Sequence, residues 1–198
     1  MSSDEFYRKN VGRAVRSLFS KAVEKFERST LPEVPLAIDL GCGIGIEVAA
    51  LLEDGWSVVA IDQNVGAIEA LKSLKSQDIS DRLQILQTSF EELSHLPPSD
   101  FIFSFHSLPF CKAESFKSLM GLVSQSLKPG AILAATFFGP SDDWVKAGKA
   151  TGVRSVDLKS FFSSCDVLHL QENEMDAPMT NGAMKHWHIL EFIAKKRA

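Results

Sequence analysis

"AIDLGCGIGIEVAALLEDGWSVVAIDQN", residues 37–64, carries glycines at 41, 43 and 45 between two short apolar runs, and its second run ends on an acid, Asp62. LAIDL (36–40) reads as a strand, IEVAALLED (46–54) as a helix and SVVAI (57–61) as a second strand; the periodicity switches from two to 3.6 and back. A strand that turns into a helix around a ligand needs residues without Cβ, which reach φ > 0 and let backbone N–H groups come close. Gly41, Gly43 and Gly45 stand at that turn. Asp62, about 20 residues on, stands where a carboxylate accepts hydrogen bonds from both hydroxyls of a ribose.

The same alternation continues outward. VGAIEALKSLKS (65–76) reads as a helix capped by Asn64, and RLQILQ (82–87), DFIFSF (100–105) and AILAATFF (131–138) read as further strands. AESFKSLMGLVSQSL (113–127) is helical between the last two. VDLKSFF (156–162) is expected as a short helix, and DVLHLQEN (166–173) and HWHILEFIAKK (186–196) as strands joined by EMDAPMTNGAMK. The pattern predicts an α/β fold: a doubly wound, mostly parallel, seven-stranded sheet covered by helices on both faces, with an antiparallel last strand. That strand is expected to begin where the parallel strands finish, the end at which open α/β sheets bind ligands.

Length and composition set further bounds. A chain of 198 residues with 45% apolar content supports one domain, 1–198. Residues 1–30 are expected to form an N-terminal amphipathic helix and part of a lid, because Val11, Val15, Leu18, Ala22 and Phe26 recur at helical spacing. Three scattered cysteines show neither disulfide nor zinc spacing, and no apolar run suits a membrane span or signal core, so a cytoplasmic protein is expected. A net charge of −4 argues against nucleic acid as a partner. No membrane partner is expected, and the protein is expected as a monomer or homodimer.

A dinucleotide cofactor would want glycine at 46, where the chain has Ile46, and a pyrophosphate would be repelled by Asp39 just before the turn. A cationic amino-acid group would be attracted there. S-adenosyl-L-methionine combines a ribose, an ammonium and no phosphate. D-L-G-C-G-I-G followed by A-I-D-Q-N resembles the cofactor signature of class I S-adenosylmethionine-dependent methyltransferases. S-L-K-P-G-A (126–131) resembles the family's L-x-P-G-G connection, and the closing K-H-W-H-I-L-E-F-I-A-K-K resembles its small bacterial members of the tellurite-resistance or thiopurine-methyltransferase type. The resemblance implies an enzyme that transfers a methyl group to a small-molecule acceptor by in-line displacement.

It also implies roles. Asp39 and Gly41 would face the methionine end, Asp62 the ribose and Gln63 the adenine edge, with Gly43 and Gly45 also binding the cofactor. Where such enzymes place an Asp against the adenine amino group, this chain has Ser89, followed by Phe90. Phe105 and His106 leave the fourth strand beside the expected sulfonium. His106 reads either as a general base or as a histidine bonded to backbone. Asp142 reads as a helix cap. Asp143, Trp144, Phe110 and His186 are candidates at the acceptor: Asp143 and His186 for catalysis, Phe110 and Trp144 for substrate contact. His188 reads as structural, and no further ligand beside the two histidines marks a metal. A nicotinamide-dependent oxidoreductase and a non-catalytic S-adenosylmethionine-binding module are the alternative readings.

Overall fold

A computed structural model of the protein describes residues 12–27, 31–74, 80–179 and 181–198. Seven strands form one sheet in the order β3-β2-β1-β4-β5-β7-β6. They are β1 (Leu36–Leu40), β2 (Ser57–Asp62), β3 (Leu83–Gln87), β4 (Ser99–Ser104), β5 (Leu127–Phe138), β6 (Cys165–Pro178) and β7 (Met184–Lys196). Strands β1 to β5 pair in parallel, and β7 runs antiparallel to both β5 and β6. The expected fold class is the observed one.

The helices are α1 (Ser17–Val23), α2 (Ile46–Glu53), α3 (Val65–Leu74), α4 (Ala113–Ser126), α5 (Asp143–Lys146) and α6 (Ser155–Phe161). Alternation along the strands divides the core into two layers. Ala37, Val58, Ala60, Phe101 and Phe103 face Leu18 and Phe19 of α1, Val48 and Leu51 of α2, and Ile68 and Leu71 of α3. Ile38, Leu40, Val59, Ile61 and Ile102 face Phe116, Leu119 and Met120 of α4 and Leu158 of α6. Both faces are thus covered, as a parallel sheet requires.

Three boundaries differ from expectation by several residues, the first being β5, which begins at Leu127 and not at 131. The segment joining the last two strands, read as a connection over 174–185, is largely sheet: Glu174 pairs with His188 and Pro178 with Met184. The ladder therefore runs about five residues past Phe138, the end of β5, whose partner is Ile189. Pro178, which has no N–H to donate, is tolerated because β6 is an edge strand. Helix α1 covers only Ser17–Val23 of the expected 1–30. Residues 13–16 are not helical because Glu47 takes them: Arg13 donates to its carboxylate at 2.8 and 2.9 Å, and the Arg16 N–H at 3.0 Å. The remainder of that expected helix, 1–11 and 28–30, lies outside the described residues.

Candidate active site

Strand order reverses between β1 and β4, and a cavity of about 880 Å³ opens at their carboxyl ends. Its polar side is built by the glycine turn. Gly41, Gly43 and Gly45 have φ of +78°, +53° and +77°. At Gly41 a Cβ would collide with the Ser107 Cβ and Oγ, so any side chain there is excluded by position as well as by φ. Ser104 and Ser107 donate to the Leu40 carbonyl at 2.6 and 2.7 Å, locking the turn after β4 against the end of β1. The Gly41 and Cys42 N–H groups both donate to the Ile61 carbonyl, at 2.8 and 3.0 Å.

Asp62 closes this loop. Its Oδ2 accepts from the Gly43 N–H and its Oδ1 from the Asn64 N–H, each at 2.9 Å. Each oxygen keeps a second lone-pair direction. Asn64 in turn caps α3, accepting from the Gly66 N–H at 2.8 Å.

Asp39 is 4% exposed, and no hydrogen bond to its carboxylate is found among the described residues. Burial, and then the charges of Glu47 and Asp62, push its carboxyl well above the usual carboxylate range. Burial also raises Glu47, but the hydrogen bonds and charge of Arg13 outweigh it and hold Glu47 below its ordinary value. The Arg16 guanidinium lines the same cavity, its pKa lowered by burial and by Arg13. A buried carboxylate beside two other acids, whose charges Arg16 and Arg13 offset only in part, is a place for a cation.

The far side is aromatic. Phe110, Phe138, Trp144 and Trp187 line it, with centroids 5.4 Å apart for the two tryptophans and 5.6 Å for Phe110 and Trp144. Between the two sides stand Phe105 and His106. His106 has φ of +58°, unusual for a residue with a side chain, and its N–H donates to Thr136 Oγ1 at 2.6 Å. Burial, then Arg16 and Arg13, lower its pKa to about 4, so its ring is neutral near pH 7 rather than poised there.

Most residues read from the sequence meet at this cavity: Asp39, Gly41, Gly43, Asp62, Gln63, Ser89, Phe90, Phe105, His106, Phe110 and Trp144 all line it. Ser89 Oγ donates to Glu92 at 2.9 Å and keeps its lone pairs as acceptors. Gly45, Asp143 and His186 do not line it. Gly45 is the left-handed cap of α2. Asp143 accepts from the His186 N–H at 2.8 Å, fastening α5 to β7. The His186 ring points to Asp176 (2.9 Å) and Glu174 (3.2 Å) on the exposed face of the hairpin, and these carboxylates raise its pKa. Alternation puts His186 and His188 on one face of β7 and Trp187 on the other, and the cavity lies on the tryptophan side. Asp142 is the expected cap, accepting from the Trp144 N–H at 2.9 Å.

The sequence reading missed Arg13, Arg16, Glu47, Ser107, Phe138 and Trp187. Glu47 had a visible signal, an acid in the first turn of the helix after the glycines. The rest reach the site only through strand register and chain crossing.

Residues 38–135 match the methyltransferase domain family. Comparison with curated protein sequences returns no match. Among solved structures, TehB from Haemophilus influenzae superposes with a TM-score of 0.77 at 18% identity, over 98% of this chain and 67% of that one. An S-adenosylmethionine-dependent methyltransferase from Methanosarcina mazei gives 0.63 at 19%, over 93% and 99%. The 1,6-didemethyltoxoflavin N1-methyltransferase of Burkholderia thailandensis, solved with 1,6-didemethyltoxoflavin and S-adenosylhomocysteine, gives 0.67 at 17%, over 99% and 87%. At such identities the likeness is one of fold. With the domain match and the glycine-turn site, the chain is a class I S-adenosylmethionine-dependent methyltransferase. No helix among the described residues is long and apolar enough to cross a membrane.

Proposed function

We propose that the protein transfers the methyl group of S-adenosylmethionine to a small-molecule acceptor by in-line displacement. The observation that carries this reading is one continuous cavity whose polar side suits a charged amino acid and a ribose and whose other side is walled by rings. When bound, S-adenosylmethionine supplies a methyl group on a sulfonium.

The residues divide the work. Asp39 pairs with the ammonium, and the Arg16 guanidinium is in place for the carboxylate. Asp62 accepts from the ribose hydroxyls with its remaining lone pairs. Gln63, Ser89 and Phe90 border the adenine, with Ser89 accepting from the adenine amino group. Gly41, Gly43 and Gly45 give the turn room for backbone to approach.

Phe105 and the aromatic wall exclude water, so that alignment does most of the catalysis. His106, neutral near pH 7, takes the proton from an acceptor that carries one; a thiolate or similar anion needs no base. Phe110 and Trp144 contact the acceptor. Asp143 and His186, tied up outside the cavity, brace the hairpin rather than the chemistry. Net charge of −4 and three buried free cysteines favour a non-nucleic-acid acceptor and a reducing, cytoplasmic setting.

The test is a product screen by mass spectrometry. The protein with S-adenosylmethionine is offered thiols, amines, carboxylates and metalloid anions. A mass gain of one methyl, lost in His106→Ala only for proton-bearing acceptors, is the expected result. Transfer to nucleic acid or protein with none to small molecules would reject the reading.

A further inference from the structure

Lys185 is 3% exposed and Asp142 fully buried, and they form an ion pair at 2.5 Å. The Lys185 ammonium lies over three of the rings that wall the aromatic side of the cavity: 3.8 Å from the centroid of Trp187, 4.7 Å from Trp144 and 5.1 Å from Phe138. It is not itself part of the cavity wall. The negative π-faces that would draw a cationic ligand are thus already engaged by a cation of the protein. Asp142 offsets much of that charge, but it is the ammonium that lies over the rings, so a second positive charge entering from the cavity would meet the positive end of the pair in a medium of low dielectric. The one donor of Trp187, its indole N–H, is spent on the Ala177 carbonyl at 3.2 Å, so this ring offers nothing to a hydrated oxyanion.

We infer that the acceptor subsite takes a planar aromatic molecule without positive charge, and that Lys185, from outside the cavity, is the residue that sets this charge preference. The inference rests on reading the aromatic side as the acceptor subsite. Flat rings suit the wall because offset or edge-on contact with Phe110, Phe138, Trp144 and Trp187 is available on it. Lys185 acts through the rings and touches no reacting atom, so it is a specificity residue and not a catalytic one.

Two probes of the same shape separate charge from size: phenyltrimethylammonium and tert-butylbenzene. Their binding to protein saturated with S-adenosylhomocysteine is followed by tryptophan emission and by ligand-observed NMR. In the wild type, tert-butylbenzene should bind about tenfold more tightly than the cation. In the double variant Lys185→Met, Asp142→Asn, which removes both charges at the cost of the acceptor of one backbone N–H, that of Trp144 or His188, that preference should fall to within about threefold. Lys185→Arg should keep it. Equal affinities in the wild type, no binding of either probe, or a preference unchanged in a folded double variant would each overturn the inference. Should the double variant not fold, the wild-type comparison still decides. Binding of S-adenosylhomocysteine, measured separately by calorimetry, should be the same in all these proteins. Its absence from the wild type would instead reject the cofactor reading on which the inference stands.

Discussion

Asp62 combines two duties that pull in the same direction. It holds the glycine turn through the Gly43 and Asn64 N–H groups, and it offers the lone pairs left over to the ribose. Asp62→Ala should therefore weaken S-adenosylmethionine binding by about 1.5–3 kcal/mol, a loss of roughly 10- to 150-fold in affinity, which calorimetry measures. Unchanged affinity would remove Asp62 from the site. Asp39 makes binding depend on pH. Its carboxyl stands above the usual range in the free protein, and an ammonium beside it favours the charged form. At a pH below the free-state pKa binding then releases a proton, and affinity is highest above that pKa and falls as pH drops through it. Titrations in buffers of different ionisation heat should show that release; no difference between buffers would contradict it. For His106, the ring is neutral down to about pH 4, so with a proton-bearing acceptor the acid limb of kcat/KM should lie near that value and not near 6.5. A limb at 6.5 would mean that a different group, or a differently placed His106, takes the proton.

The hairpin of β6 and β7 shows what an element adds beyond its residues. By running past the end of β5 it places Trp187 on the cavity and turns His186 and His188 toward Glu172, Glu174 and Asp176. His188 Nδ1 also accepts from the Ser141 N–H at 3.2 Å, so its ring spans the hairpin and the loop before α5. Asp142 ties that loop to β7 through Lys185 and the His188 N–H. Asp142→Ala should cost about 3–5 kcal/mol in chemical denaturation, because it strands a buried ammonium as well as removing a cap. A loss below about 1 kcal/mol would show that Lys185 escapes to water in the variant. This element was also the least legible part of the chain. Period-two alternation separates Trp187 from its flanking histidines, but alternation cannot say which face meets the cavity; neighbouring strands decide that. Likewise EMDAPMTNGAMK reads as a connection from its Pro, Asn and Gly, whereas pairing with a long partner strand carries the ladder to Pro178.

At the scale of the whole molecule, what was legible is what local chemistry dictates. D-L-G-C-G-I-G and Asp62 announced a turn and an acid, and the strand and helix runs announced a doubly wound sheet. The cofactor side of the cavity lies at one crossover, within residues 37–64 and a few strand ends, so sequence neighbourhood nearly suffices. The acceptor side draws on the segment after β4 and on β5, α5 and β7, and the clamp of Arg13 and Arg16 on Glu47 joins residues more than 30 positions apart. Those contacts exist only once the sheet order is set. The central claim is that the first crossover is shaped to hold S-adenosylmethionine, and equilibrium calorimetry of the purified protein tests it directly. One mole per chain should bind saturably to the wild type, and Gly41→Val, which drives a side chain into Ser107, should abolish the heat. No saturable binding by the wild type, or full affinity in a folded Gly41→Val protein, would contradict the account.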